Sequence, residues 1–494
     1  MSLIHKVSEI FQNQKFPKNW KTIELDKVVK IQNGFAFKSS YFNSDNIGMP
    51  LIRIRDIKNS TMETFYSGAI LEDFVIIEGD LLIGMDGDFN SNIWKGNPAL
   101  LNQRVCRLIP DENFILKKLL FYGLPNYLDK INENTSSTTV KHLSSKSIGE
   151  IPFPLPPFAE QNRIVAKLDT LFTQLETMKM SMTKIPLLLQ DFRQQVLTQA
   201  VTGKLTEEWR KGKELESGEE LLKQIKNKRL EIYNRLSLLA IKNGKRKPKQ
   251  PILEVPDNNK HNFIIPNNWI YCTIGDIGDV SNGSTPSRPI EEYWNGNIPW
   301  ISSGLVRNNR ITNAIEHLTQ LGFENSSVKL LPKGSILLAM IGEGKTRGQS
   351  AILDIDATIN QNIAGIAIEH GLIVSEYLQN WLFVNYENNR QMGNGTGPQA
   401  LNCQKVRELP FVLPPYLEQQ EIVRTVESLF ATANAIEKQY KFLKQRIDSL
   451  PKAILNKAFK GELIEQLESD GDARQLLDAI NRLKEIKLSQ KKKE

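Results

Sequence analysis

Cysteine is scarce in this 494-residue chain. Cys106, Cys272 and Cys403 stand far apart with no Cys-x-x-Cys spacing, which excludes a disulfide framework or a thiolate zinc site and reads as reduced thiols of a cytoplasmic protein. The five histidines are scattered, so neither a metal cluster nor a Ser/His/Asp set assembles from the sequence. No run of eighteen apolar residues occurs, and the stretch from Met1 to Lys6 has no signal-peptide core, so neither a membrane span nor a leader is expected. A composition of 40% hydrophobic and 24% charged residues describes a folded, soluble chain with material for two globular domains plus helices. The net charge of +7 favours an anionic partner. The basic runs Lys242 to Lys249 and Lys491 to Lys493 read as a solvated linker and a frayed tail.

One stretch occurs twice. Ile151-Pro152-Phe153-Pro154-Leu155-Pro156-Pro157-Phe158-Ala159-Glu160-Gln161 is matched 258 residues later by Leu409-Pro410-Phe411-Val412-Leu413-Pro414-Pro415-Tyr416-Leu417-Glu418-Gln419. The match continues without a gap to Leu205 and Leu463. Apolar positions in the first copy (Ile164, Leu168, Leu171, Leu175, Met178, Met182, Ile185, Leu189, Phe192, Val196) and their counterparts in the second alternate steps of four and three, a heptad seam. Between Thr173 and Gln195 identity is lost while register is kept, the trace expected of a helical spacer that holds a distance of roughly 50 Å. Pro186 and Pro451 are expected to kink or break the two helices. The Pro-Pro pairs enforce an extended approach, and Glu160 and Glu418 near the helix starts suit the helix dipole.

The segments preceding the two copies also correspond. Pro17-Lys18-Asn19-Trp20 recurs as Pro266-Asn267-Asn268-Trp269, and Leu101-Asn102-Gln103 as Ile359-Asn360-Gln361. The offset drifts from 249 to 258 residues, which marks loop insertions in the second domain. Short β-branched runs (Ile52 to Arg55, Phe74 to Ile77, Asp80 to Ile83, Ile336 to Met340, Ile363 to Ile368) and helical stretches (Ile115–Tyr127, Val374–Asn388) predict mixed α/β domains with polar loops. The expected division is a helix over 1–16, domains over 17–150 and 262–408, repeat helices over 151–210 and 409–464, a helical and basic linker over 211–261 and a helical tail over 465–494.

Those loops carry candidate nucleic-acid contacts: Asn33, Lys38, Arg53, Arg55, Lys58 and the run Ser136 to His142 in the first domain; Asn282, Arg288, Ser303, Arg307, Arg310, Lys345, Arg347, Thr396 and Gln399 in the second. Arginine and lysine read guanine, and asparagine and glutamine read adenine, through paired hydrogen bonds in the major groove. Lysine, serine and threonine fix register on phosphates.

Signs of catalysis are weak. Ile336 to Thr346 imitates a phosphate loop ending in Gly344-Lys345-Thr346, but Ala339 stands where the motif needs its first glycine. Leu155-Pro156-Pro157-Phe158 and Leu413-Pro414-Pro415-Tyr416 resemble the Asn/Asp-Pro-Pro-Tyr/Phe box of adenine-N6 methyltransferases, yet leucine lacks the side-chain oxygen that holds the target amino group. No Phe-x-Gly-x-Gly cofactor motif is present. The chain reads as non-catalytic.

The doubled Leu-Pro-Pro-x-x-Glu-Gln-x-x-Ile-Val motif resembles the specificity subunit of type I restriction–modification enzymes, and Ile185 to Arg210 resembles the type IA group most. The resemblance implies two mixed α/β target-recognition domains, separated by two long helices that form an antiparallel coiled coil with a pseudo-two-fold repeat. It implies double-stranded DNA with a bipartite target as ligand, and two modification and two restriction subunits as partners. S-adenosylmethionine, ATP and Mg would belong to those partners, with no cofactor in this chain. The repeat residues Leu155, Pro156, Pro157, Glu160, Gln161, Leu413, Pro414, Pro415, Glu418 and Gln419 are then expected to dock the partners. The alternatives are a non-DNA two-domain coiled-coil scaffold and a P-loop NTPase.

Overall fold

A computed structural model describes residues 10–11, 15–135, 141–244, 246–255, 264–342, 345–391 and 400–491. Most of the expected 1–16 helix, the run Ser136 to Val140, Thr396, Gln399 and the last lysines lie outside the described residues. The chain divides into two compact units, one built from residues 1–183 and 442–494 and the other from residues 184–441.

The first domain contains β1 (Lys21–Glu24), β2 (Val29–Asn33), β3 (Met49–Ile52), β4 (Leu81–Gly84), β5 (Ser91–Ile93), β6 (Ala99–Leu101), β7 (Val105–Pro110), the helix α1 (Lys117–Glu133) and β8 (Pro152–Leu155). Four strands form an antiparallel sheet in the order β2-β7-β4-β5. All four residues of β4 are buried, so it reads as a continuous apolar run rather than an alternating one. β3 pairs in parallel with β6 in a second sheet. The sequence run Ile52 to Arg55 was expected to be extended; instead β3 ends at Ile52 and Ile54–Ile57 is a helical turn, started by the Asp56 carboxylate accepting the Arg53 amide at 2.8 Å.

The proline-rich lead becomes β8, which among the described residues pairs only with β1, antiparallel, Pro154 facing Thr22 and Pro152 facing Glu24. Proline lacks the amide a central strand needs, so this strand is confined to a two-stranded ribbon. The helix α2 (Phe158–Met182) begins directly after Pro156-Pro157. The chain breaks at Thr183 and Lys184 and continues as α3 (Ile185–Val201), with Pro186 in its first turn, where a missing amide costs nothing. The amphipathic stretch that follows forms α4 (Gly218–Lys242), opened by a capping box between Ser217 and Glu220.

The second domain repeats this order: β9 (Ile270–Thr273), β10 (Gly278–Asn282), β11 (Trp294–Ile301), β12 (Ile336–Ala339), β13 (Ser350–Leu353), β14 (Thr358–Ile359), β15 (Ile363–Ile368), the helix α5 (Ser375–Val384) and β16 (Pro410–Leu413). Its main sheet runs β10-β15-β12-β13, the counterpart of β2-β7-β4-β5, and adds a fifth, edge strand, Arg310–Ile311, parallel to β13; β11 pairs in parallel with β14 as β3 does with β6. The helix α6 (Tyr416–Ala458) is unbroken and holds Pro451 in its interior, so the expected break there does not occur. The helix α7 (Arg474–Lys491) closes the chain.

Each unit completes its core with helix from elsewhere in the sequence. In the first, Phe153, Ile164 and Leu168 bury with Ala458, Phe459 and Ile480. In the second, Val196, Leu197 and Ala200 of α3 bury with Ile422, Val423 and Val426 of α6. There the two helices run antiparallel: Arg193 donates to Asn434 and Glu437, both at 2.8 Å, while Thr206, thirteen residues on, reaches back to Glu418. The heptad seam is not buried throughout. Met178, Ile436, Leu443 and Leu450 keep 49, 46, 48 and 38% exposure.

Candidate nucleic-acid interface

At the heart of each domain one backbone crossing is repeated. Phe35 donates its amide to the Leu101 carbonyl at 2.9 Å, and Ser284 donates to Ile359 at 3.0 Å. The preceding residues are glycines because the chain passes against a carbonyl: a Cβ on Gly34 would lie 2.0 Å from the Asn102 oxygen, and one on Gly283 would lie 1.7 Å from the Ile359 oxygen. Beyond the crossing, Met85 donates to the Arg104 carbonyl and Met340 to the Asn362 carbonyl, both at 2.9 Å. Leu143 then donates to Met85 at 2.7 Å, as Leu401 does to Met340 at 3.0 Å. These bonds fix which residue of one domain stands where in the other.

In the first domain the crossing floors a cleft of about 520 Å³, lined by Phe37, Phe42, Arg53, Arg55, Gln103 and Arg104 among others. Three arginines converge there from two distant segments. Arg55 is tied to Glu63 at 3.2 Å. Arg104 directs its Nε toward Asp86 at 3.4 Å, and the other oxygen of Asp86 lies 2.6 Å from His142 Nδ1. Arg53 is exposed and has no ion-pair partner among the described residues. Of the sequence-expected residues, Arg53 and Arg55 meet in this cleft. Asn33, which donates to Ser145 at 3.2 Å, and the exposed Lys38 and Lys58 do not line it. Gln103, Arg104 and Asp86 were not singled out from the sequence. Leu101-Asn102-Gln103 was visible only as a marker of the repeat. Gln32, beside Asn33 on β2, is used internally: its Oε1 accepts Arg107 at 2.7 and 3.1 Å.

The second domain distributes its cations differently. Arg288 lies 3.9 Å over the Trp294 ring and 4.8 Å from that of Trp300, and its guanidinium pairs with Glu316, which raises its affinity for the proton. The Trp300 indole donates to Ser284 at 3.0 Å, so this stack is anchored to the same crossing. Asn282 and Arg307 are exposed, and Ser303 is half-buried at the start of a 3-10 turn, Ser303–Asn308. Arg310 is held by Asp354 at 2.6 Å and Glu376 at 2.9 Å, and the Asp354 carboxyl is pushed below its ordinary range by that arginine. Lys345 is exposed at the end of the loop whose residues 343–344 lie outside the described ones. Arg347 corrects an expectation: it is 6% exposed and faces the protein interior, so it presents no charge to a ligand.

The repeat motif needs a larger correction. Leu155, Pro156, Pro157, Glu160 and Gln161 are buried, as are Leu413, Pro414, Pro415, Glu418 and Gln419, so none of the ten offers a docking surface. Their polar groups are satisfied inside their own unit. Glu160 accepts the Trp20 indole at 2.9 Å, Asn19 at 3.3 Å and Gln466 at 2.6 Å. Glu418 accepts the Trp269 indole at 2.8 Å, Thr206 at 2.7 Å and Arg210 at 2.9 Å. Gln161 bonds Leu116 and Phe114, and Gln419 bonds Val374 and Pro414. The doubled Pro-x-Asn-Trp was legible as a repeat, but its tryptophan's partner was not.

Among the described residues no cluster of three or more His, Cys, Asp or Glu side chains forms a metal site, and no helix is long and apolar enough to cross a membrane.

Comparison with known proteins bears on these paired domains. The type I restriction modification DNA specificity domain family matches residues 17–186 and 266–444. The chain is 37% identical over 465 residues to the type I restriction enzyme EcoBI specificity subunit of Escherichia coli, covering 92% of this chain and 88% of that one. It is 25% identical to the EcoKI specificity subunit of E. coli K12, with 92% of each covered. In fold it is similar to the HsdS subunit of Thermoanaerobacter tengcongensis, with a TM-score of 0.55 at 16% identity over 91% of this chain and 99% of that one.

Proposed function

This chain belongs to the type I restriction–modification DNA specificity family, and on that premise we propose how it works. It is the non-catalytic, sequence-specific DNA-recognition subunit of such a system. Each of its two domains reads one half of a bipartite target in double-stranded DNA, and the bases between the halves are unspecified. The observation that carries this reading is the doubled crossing with unlike surroundings: one scaffold built twice, with different side chains around Gln103 and Gln361. A protein that reads two different sequences on one polymer needs this combination of a shared frame and variable edges.

Two modification subunits then methylate adenine N6 within the halves, and two restriction subunits supply ATP-dependent cleavage. S-adenosylmethionine, ATP and Mg belong to those partners, and the assembly works in the cytoplasm. The buried motif sets the start and tilt of α2 and α6, and the exposed faces of those helices carry the partners. Base contacts come from Arg53, Arg55 and Lys58 in the first domain, and from Asn282, Arg288, the half-buried Ser303, Arg307 and Lys345 in the second, with Asn33 and Lys38 near phosphates.

The test is single-base methylation mapping of a host without adenine methylation that expresses this chain with its neighbouring modification subunit. A bipartite motif with methyladenine on opposite strands, absent without this chain, is expected. A continuous motif, or none, refutes the reading.

A further inference from the structure

We propose that Arg104, oriented by Asp86, reads a guanine in the half-site of the first domain and that the equivalent Asn362 makes the second domain read a different base; this rests on the DNA-recognition reading above. The equivalence is set by main-chain geometry, since the carbonyls of Arg104 and Asn362 accept the amides of Met85 and Met340 at the same 2.9 Å.

From these anchors the neighbouring positions follow. Asp86 comes directly after Met85 and Ile341 directly after Met340; His142 directly precedes Leu143 and Ala400 directly precedes Leu401. Three positions therefore change together. Where arginine stands, a carboxylate lies 3.4 Å from its Nε and a histidine lies 2.6 Å from that carboxylate. Where asparagine stands, the carboxylate and the histidine are replaced by isoleucine and alanine. An arginine needs its long stem fixed before its fork can discriminate, and a carboxylate on Nε does this while leaving the two terminal nitrogens pointing outward. An asparagine is short and needs no such brace.

The crossing beside it is common to both domains. Gly34 and Gly283, Asn102 and Asn360, and Gln103 and Gln361 are the same residue types, with Gln103 and Gln361 exposed in each. Two domains on one duplex meet the same phosphate backbone but different base edges. Residues alike in both domains suit the backbone, and residues that differ in a matched geometry suit the bases. Arg53, with Ser302 as its counterpart next to the parallel pairs Ile52–Leu101 and Ile301–Ile359, belongs to the second class. A terminal guanidinium fork matches guanine O6 and N7 in the major groove.

The test uses the full chain assembled with its modification subunits and the mapped target as a duplex, with every base pair of both half-sites substituted singly and affinities measured by fluorescence anisotropy at fixed salt. For the natural protein, one G·C substitution in the first domain's half-site is expected to weaken binding about ten- to a hundredfold. Arg104→Asn is expected to abolish that one penalty and to leave the other half-site unchanged. Arg104→Lys is expected to shrink it, because lysine reaches guanine without the planar fork, and Asp86→Asn to shrink it as well. Arg104 is exposed at its side chain (54%), so these changes do not disturb the core. A uniform loss across all duplexes, or a penalty that survives Arg104→Asn, overturns the proposal while leaving the bipartite reading intact. A natural complex with no bipartite preference overturns both.

Discussion

Replacing the buried Glu418 by glutamine is expected to destabilise its unit more than the same change at Glu160, although the two residues are repeat equivalents. Both are fully buried and both hold a tryptophan indole. Their remaining partners differ in charge. Glu418 receives Thr206 and the guanidinium of Arg210, whose side chain is only 19% exposed. Glu160 receives the neutral amides of Asn19 and Gln466. Breaking a buried ion pair by neutralising one partner costs about 3–5 kcal/mol; partial exposure of Arg210, and its second bond to the Gly203 carbonyl, reduce this to about 2–4 kcal/mol. Glu160→Gln loses charge assistance in bonds to neutral donors and strands no guanidinium, so about 0–1.5 kcal/mol is expected. Native-state hydrogen exchange read by mass spectrometry separates the two. The reporting amides are Leu205, Glu207 and Arg210, bonded to Gln199, Lys204 and Thr206, and in the other unit Gly461 and Glu462, bonded to Ala458 and Lys457. Protection of residues 205–210 is expected to fall roughly thirty- to a thousandfold in Glu418→Gln, and that of 461–462 by less than about fifteenfold in Glu160→Gln. Equal losses, or a larger loss in Glu160→Gln, would refute the role given to the Arg210 charge.

Gly461→Ala is expected to destabilise its unit by more than about 1 kcal/mol in urea melts, because φ is +74° there and a Cβ would stand 2.2 Å from Pro17 Cγ; an unchanged midpoint would contradict the close approach. Arg310→Ala is expected to leave DNA affinity within about twofold while Arg53→Ala weakens it and lowers the salt slope, since Arg310 is committed to Asp354 and Glu376; anisotropy titrations at several salt concentrations check this. Burial pushes the Cys106 thiol up to about 12 and raises that of Cys403, which is only half-buried, so iodoacetamide at pH 8 should modify Cys403 slowly and Cys106 only on unfolding; early labelling of Cys106 would contradict its burial. Matched insertions of four residues after Thr177 and Ala435 are expected to lengthen the unspecified spacer in methylation maps without altering either half-site; an unchanged spacer would remove the helices as its determinant.

What the sequence determined by itself is what repeats or what is local. The gapless match from Ile151 to Leu205 identified the long helices, because length and seam survive where identity does not. The proline pairs at 156–157 and 414–415 dictated an extended approach to each long helix, because a proline restricts the residue before it. Leucine at 155 and 413 and alanine at 339 spoke against two catalytic motifs: leucine lacks the side-chain oxygen one needs, and alanine carries a Cβ where the other needs glycine.

Only the tertiary structure decided which polar residues are available. Glu160 and Glu418 read as helix-start charges suited to the dipole and as docking residues, yet they are buried and their partners lie up to 306 residues away. Arg310 and Arg53 are indistinguishable as letters, yet one is neutralised by Asp354, 44 residues on, and the other has no ion-pair partner among the described residues. Arg347 sits in a loop that reads as exposed but faces the interior. The cleft of Arg53, Gln103 and Arg104 is assembled by one backbone crossing at Gly34, and nothing local to any of those residues announces the others. Periodicity and backbone chemistry act over a few residues and are written in order along the chain; burial and pairing depend on which distant segments meet, and that follows from the fold.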